Sequence, residues 1–293
     1  MSIINNPNVK DYIILGVDIG GSHITSALVN VLDGSILEGS WQRSKVDSQA
    51  SADEIVAAWS SVMKKSLHFT THSGKVAVAM PGPFDYQNGI SYMKGMGKFD
   101  ALYDLNVRAL ILKGMEGSVQ QISFINDAGC FLKGELVHGA ASAYRNVMGF
   151  TLGTGFGSAV GTDGIATDAA YWQYPFMGGI CEDFFSSKWL VSKYNSYSGK
   201  AVRNVKELID DVERANPLLQ VFDEFGMNLG IFLSKLYKNK PIDCVVLGGN
   251  IAKASALFLP QLRYYLSARS IVLPIYISET GENAALIGAA CSM

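Results

Sequence analysis

Three times along this chain a short apolar run ends in a turn of glycines. The first is Ile13-Ile-Leu-Gly-Val-Asp-Ile-Gly-Gly-Ser22, the second Phe150-Thr-Leu-Gly-Thr-Gly-Phe156, and the third Val245-Val-Leu-Gly-Gly-Asn250. Runs of this length, rich in β-branched residues, are buried strands. Glycines directly after a strand let the backbone turn tightly and bring bare N–H groups close to an anion. Any one junction could be an ordinary hairpin turn, the usual place for paired glycines. Three in this order, the second echoing the first, predict two related α/β lobes closing on one polyanionic ligand.

Within the first junction, Asp18, Gly20, Gly21 and Ser22 are candidate ligand-binding residues. A carboxylate at Asp18 would repel a phosphate, so its natural partner is a hydrated Mg²⁺ lying between the two. In the second junction the candidates are Thr154 and Gly155, and in the third Gly248, Gly249 and Asn250.

Composition removes several classes. The 293 residues are 48% hydrophobic and 17% charged, which suits a globular chain with room for two domains. A net charge of -2 argues against a basic nucleic-acid footprint. Asp18, Asn126, Asp127 and Asp243 interrupt the longest apolar stretches, so no membrane span is expected. No basic segment followed by an apolar one opens the chain, and no signal peptide is expected. Cys130, Cys181, Cys244 and Cys291 form no Cys-x-x-Cys pair. They read as free thiols of a reducing cytoplasm, the expected location.

In chain order, Met1–Lys10 reads as a short mobile tail. Ile24–Asn30 reads as a return strand, and Asp33-Gly34 as a turn before a further strand at Ser35–Trp41. Ser51-Ala-Asp-Glu54 is a capping box launching an amphipathic helix to Leu67. The strand Val76–Met80 ends in Pro81-Gly82-Pro83, either a plain turn or a rigid loop at the ligand-binding edge of a sheet. Gly89–Leu105 reads as loop. Its Lys94 and Lys98 could hold an anion, although a solvated loop is the preferred reading. Val107–Leu112 begins a helix.

Ile122–Ile125 is a short strand ended by Asn126 and Asp127, and a helix follows. Asp127 fits two roles, a helix N-cap or a carboxylate placed to accept a hydroxyl proton. A long helix from Pro217 carries Leu218, Phe222, Phe225, Leu229, Phe232, Leu233 and Leu236 at core-facing intervals. Ser270–Ser278 reads as a strand and Glu279–Ala290 as the closing helix.

Taken together, Gly16-Val-Asp-Ile-Gly-Gly-Ser-His23, Asn126-Asp-Ala128, Thr151-Leu-Gly-Thr-Gly-Phe-Gly157, Leu247-Gly-Gly-Asn250 and Glu282-Asn-Ala-Ala-Leu-Ile-Gly-Ala289 resemble, in order, the ROK family (repressor, open reading frame, kinase) of the actin-like ATPase superfamily. The resemblance runs from about Tyr12 to the end. It implies an α/β fold of two actin-like, ribonuclease H-like lobes with a ligand cleft between them. Residues 1–125 with 280–293 would form the N-terminal lobe and 126–279 the C-terminal lobe.

It further implies ATP-dependent phosphorylation of a sugar hydroxyl, as in glucokinase-like hexose or N-acetylhexosamine kinases, with ATP and Mg²⁺ as cofactors. Asp18, Gly20, Gly21 and Ser22 would belong to the first phosphate loop, with Mg²⁺ held by Asp18 through water. Thr154 and Gly155 would form the second loop, and Gly248, Gly249 and Asn250 the adenosine site. Asp127 would be the catalytic base. Asn126, with the Pro81-Gly82 loop, would contact the sugar, and a homodimer is implied.

Two stretches depart from the family pattern, and in one the usual pocket Asn before a Trp-containing loop is missing, with Lys94-Gly-Met-Gly-Lys98 standing in that region. Many members carry Gly-Glu-x-Gly-His followed by a three-cysteine zinc loop, whereas Gly164–Glu182 holds no His and only Cys181. No zinc site is therefore expected. Glu182 and, more weakly, Asp168 are the carry-overs for the sugar contacts of that stretch. The altered motif keeps a second reading open, a catalytically inactive sugar- or nucleotide-binding or regulatory protein. A repressor would need a DNA-binding domain, for which the residues before Tyr12 are too few.

Overall fold

The computed structural model describes residues 9–210 and 215–293. Most of the expected N-terminal tail, Met1–Asn8, lies outside the described residues, while Val9–Tyr12 forms a 3-10 turn. The chain divides into two compact units, one running up to Gly139 and joined by Glu282–Met293, the other spanning Ala140–Gly281.

The first unit contains β1 (Ile13–Ile19), β2 (His23–Asn30), β3 (Gln42–Lys45), α1 (Ala52–Leu67), β4 (Lys75–Met80) and the two-residue strands β5 (Phe84–Asp85) and β6 (Ile90–Ser91). It continues with α2 (Val107–Gly114), β7 (Gln121–Asn126) and α3 (Asp127–His138). Its sheet has the order β3-β2-β1-β4-β7, with β1 antiparallel to β2 and parallel to β4. Alternation along β1 sorts its side chains between two layers. Ile13, Leu15, Val17 and Ile19 join the core beneath α1 and α2. Ile14 instead packs with Cys130 of α3 and Leu286 from the end of the chain, and Gly16 and Asp18 follow on that same face. The capping box forms as predicted: Ser51 accepts from the Glu54 N–H, and Glu54 accepts from the Ser51 N–H at 3.0 Å.

The second unit contains β8 (Asn146–Leu152), β9 (Phe156–Thr162), β10 (Ile165–Asp168) and the two-residue strands β11 (Pro175–Phe176) and β12 (Gly179–Ile180). Helices α4 (Glu182–Phe185), α5 (Ser187–Ser198), α6 (Val205–Ile209) and α7 (Ala215–Asn239) follow, then β13 (Cys244–Gly248), α8 (Ser255–Ser267) and β14 (Ile275–Ile277). The sheet order β10-β9-β8-β13-β14 repeats the first unit's layout, antiparallel on one side of its central strand and parallel on the other. The apolar stripe of α7 is core: Phe222, Phe225, Leu229, Phe232 and Leu233 are fully buried, with Phe232 edge-on to Phe150 and Phe156.

The last helix, α9 (Ala284–Ala290), belongs to the first unit and packs on β1 and α3. Glycines make that approach possible. A Cβ on Gly16 would overlap the Leu286 carbonyl, one on Gly134 the Ala284 carbonyl, and one on Gly288 the Cys130 carbonyl. Helix propensity alone predicts that Gly288→Ala gains about 1 kcal/mol. The packing reverses that sign, because the overlap is with backbone that cannot swing aside. We expect a loss of about 3 kcal/mol, the upper range for overpacking, read as a lower urea midpoint at unchanged slope. A midpoint at or above wild type would show that α9 does not sit this tightly on α3.

Three sequence expectations need correction. Ser35–Trp41 is not a strand, because the Ser40 hydroxyl accepts the Leu28 N–H at 3.0 Å where a partner strand's carbonyl would. Only Ile36 bridges Val29, and the ladder resumes at β3. The strand expected at Ser270–Ser278 shrinks to Ile275–Ile277, since Ser270 has φ +56 and Pro274 carries no N–H for a ladder. The compact units divide after Gly139, not before Asn126, because α3 packs against α9.

Candidate active site

In the first unit the parallel strands β1, β4 and β7 bring their carboxyl ends to one sheet edge. Register sets Asp18 beside Ala79 and Met80 beside Asn126, so Asp18, Pro81-Gly82 and Asn126-Asp127 converge there. The Gly20–Ser22 turn is closed by the Gly20 N–H donating to the His23 carbonyl at 2.9 Å. It is tied to β3 by the Val46 N–H on the Ser22 carbonyl, and Gly21 and Ser22 are exposed.

The electrostatics of this edge are unbalanced. Burial, and next the charge of Asp127, push the Asp18 carboxyl up to about 7, against the opposing pull of Arg43. Arg43 shares a cross-strand row with Thr25 and Asp18, but its guanidinium is also paired with Glu282 at 2.7 Å. The thiol of Cys130, buried on α3, is raised first by burial and then by the charges of Asp127 and Asp18.

Asn126 and Asp127 take different local roles from those expected. Asn126, not Asp127, is the N-cap of α3: its Oδ1 accepts from the Gly129 N–H at 3.1 Å. Asp127 is the first helical residue, and its Oδ1 accepts the Ala128 N–H at 2.9 Å. Asn at a cap serves as well as Asp, and a carboxylate in the first turn is favoured by the helix dipole. The Asn126 amide donates to the Tyr86 hydroxyl at 3.2 Å, and that hydroxyl donates to the Met80 carbonyl at 3.1 Å. Sequence reasoning missed Tyr86, which orients Asn126 from the loop after the cis Gly82–Pro83 bond. Nothing in its spacing marks it.

In the second unit the turn Gly153-Thr154-Gly155 joins β8 to β9. Ser187 braces it by donating from both N–H and hydroxyl to the Gly153 carbonyl, at 2.7 and 2.8 Å. Glu182 reaches the same turn: its Oε2 accepts the Phe156 N–H at 3.0 Å and lies against Gly155. Gly249, with φ +84, fits against the Leu152 carbonyl, where a Cβ would overlap it. This sets Gly248-Gly249-Asn250, at the carboxyl end of β13, beside the end of β8. Asn250 is exposed, and its side chain makes no cap bond to the turn that follows.

The altered motif has its own geometry. Asp168 is exposed at the end of β10, where its Oδ1 accepts the Ala170 N–H at 2.8 Å. Tyr171 packs against the aromatic core, tilted to Phe150 and edge-on to Phe232, and its hydroxyl accepts from Lys240 at 3.2 Å. Cys181 is buried, and burial pushes its thiol up to about 12. Among the described residues no group of three or more His, Cys, Asp or Glu is placed to hold a metal, and no helix is long and apolar enough to cross a membrane.

The sequence model of the ROK family matches residues 14–293. An N-acetylgalactosamine kinase from Shewanella sp. (strain ANA-3) is 24% identical, covering 94% of this chain and 94% of its own length. A xylose repressor from Bacillus spizizenii is 22% identical over 94% of this chain and 75% of its own length. The crystal structure of a ROK family glucokinase from Streptomyces griseus, in complex with glucose and AMPPNP, is similar with a TM-score of 0.77 at 19% identity. That likeness covers 95% of this chain and 98% of the glucokinase, and it carries the fold: two actin-like α/β units.

Proposed function

This chain belongs to the ROK family, and we propose that it transfers the γ-phosphoryl group of ATP to a hydroxyl of a hexose or N-acetylhexosamine. One observation carries the reading: Asp18, Asn126 and Asp127 meet at one strand edge, with Asp18 pushed up to about 7 by burial and by Asp127. Two carboxylates held that close, with their nearby arginine shared with Glu282, form a locus short of positive charge. A hydrated divalent cation fits that deficit, held by Asp18 through water and supplying charge neutralisation for the donor phosphates.

The reaction is a displacement. The acceptor oxygen bonds to the γ-phosphorus as the bond from that phosphorus to the β,γ-bridging oxygen breaks, and the electron pair leaves with ADP. The hydroxyl proton passes to the Asp127 carboxylate. Because a carboxylate is a far weaker base than an alkoxide, that transfer comes late, and Asp127 acts as much by aiming the hydroxyl as by basicity. Asn126, oriented by Tyr86, and the Pro81-Gly82 loop contact the sugar. Gly20, Gly21 and Ser22 face the donor's terminal phosphate, Thr154 and Gly155 the remaining phosphates, and Gly248, Gly249 and Asn250 the adenosine. Glu182 remains a sugar contact by resemblance, and its bond to the Phe156 N–H lets it also shape the second phosphate turn. Asp168 is the weakest assignment, since its carboxylate already serves the turn at Ala170.

A coupled ADP-release assay over hexoses, N-acetylhexosamines and related sugar acids, run with Mg²⁺-ATP, tests the reading. Sugar-dependent ADP release is expected, and the best substrate names the acceptor class. The second reading, a binding or regulatory protein without turnover, draws on the lost Glu and His of the sugar motif. Binding of both sugar and nucleotide with no ADP release would favour it.

A further inference from the structure

The sequence favours a solvated loop for Gly89–Leu105, and for Lys94 it is solvated: the side chain is exposed, its ammonium 4.6 Å from the Tyr103 ring centre. Lys98 is placed differently. Its Cδ lies 3.5 Å from where a Cβ on Gly21 would stand, so its stem runs along the first glycine turn. The ammonium is two bonds further on. Among the described residues no carboxylate or hydrogen-bond acceptor pairs with it.

The backbone on both sides of Lys98 is fixed. The Gly97 carbonyl accepts from Gln49 Nε2 at 2.5 Å, and the Phe99 N–H donates to the Ser48 carbonyl at 2.8 Å. Phe99 is fully buried, its ring edge-on to Trp59 at 5.3 Å, and it holds φ +59. A left-handed phenylalanine is strained and persists only where its surroundings enforce it. A merely solvated loop has no need of that anchoring. The charges at the turn supply a reason for it. Asp18 and Asp127 both repel a phosphate, and Arg43 is shared with Glu282. Lys98 brings a further positive charge to the Gly21 turn.

We propose that Lys98 is a donor-phosphate ligand, whose ammonium binds the terminal phosphoryl group of ATP at the Gly20–Gly21 turn and holds the negative charge there during transfer. The assignment rests on the kinase reading. A lysine does this as a compact point charge with three donors, without the fork geometry of arginine.

Isothermal titration of Mg²⁺-ATP, Mg²⁺-ADP and AMP into wild type, Lys98→Met and Lys98→Arg tests it, alongside the ADP-release assay. A lost charge-assisted bond predicts a Kd for Mg²⁺-ATP that rises about 10- to 100-fold in Lys98→Met. ADP should be affected less and AMP hardly at all, and Lys98→Arg should recover most of the loss. Unchanged ATP binding in Lys98→Met would overturn the proposal, and so would equal losses for ATP and AMP. Wild type that prefers ATP to AMP yet never turns over sugar sinks the kinase reading alone, and the Lys98→Met titrations still decide the ligand. Wild type that binds no nucleotide overturns both.

Discussion

Asp127→Asn is expected to lower kcat for sugar phosphorylation by about 10²- to 10⁴-fold, the span that a positioned general base contributes. The fold should barely notice. Asn126, not Asp127, caps α3 through the Gly129 N–H, so the cap survives the substitution. The bond that Asp127 makes to the Ala128 N–H needs only an oxygen acceptor, which Asn retains. A small cost at the helix N-terminus, about 0.3–1 kcal/mol, follows from losing a favourably placed negative charge. A small opposite gain follows from relieving Asp18 of a like-charged neighbour. Sugar and nucleotide Kd values should therefore stay within a few-fold of wild type while turnover collapses. The check is single-turnover kinetics with both ligands saturating. Near-normal turnover would remove Asp127 as the base. A collapse of binding together with rate would make it a substrate-holding residue.

How far the chain could be read in advance varied with the range of the interactions involved. The glycine junctions were legible because a strand and its turn are both written locally: an apolar run, then residues without Cβ atoms. The capping box at Ser51 and Glu54 and the core stripe of α7 were legible for the same reason. The division between Asn126 and Asp127 was not, since either residue can cap and only the chain's path shows which one does. Ser35–Trp41 failed because a single hydroxyl, Ser40, substitutes for a strand's carbonyl. Tyr86 lay beyond local reading, and for Lys98 the residues offered an anion contact but favoured a solvated loop. Each acquires its meaning from a partner far along the chain, Asn126 for one and Gly21 for the other.

Asp18→Asn should separate stability from activity in opposite directions. In the folded, ligand-free protein the Asp18 carboxyl is pushed up to about 7 from an ordinary 3.8, by burial first and then by Asp127. Between those two values the folded state holds a proton that the unfolded state has released. Unfolding free energy then falls as pH rises from about 4 toward 7, and the loss is complete above the folded value. The penalty is at most about 4 kcal/mol, and water reaching the half-buried carboxyl reduces it. Asparagine carries no such charge. The variant should exceed wild type by less at pH 5 than at pH 8, where wild type carries the full penalty. Urea midpoints of the two proteins across pH 5–8 read this directly, because taking their difference removes the titration of groups that do not interact with Asp18. Mg²⁺ with ATP should narrow the gap at pH 8, since a cation held through Asp18 favours its charged form. Activity should move the other way, with kcat/KM for Mg²⁺-ATP falling by about 10²-fold or more, because the neutral amide no longer draws the cation to the donor phosphates. A stability difference that stays flat from pH 5 to 8 would mean that Asp18 is already charged and satisfied in the free protein, and that the sheet edge is not short of positive charge. A difference that opens with pH, together with lost turnover, would identify Asp18 as a residue whose burial costs stability and whose return comes only with the nucleotide.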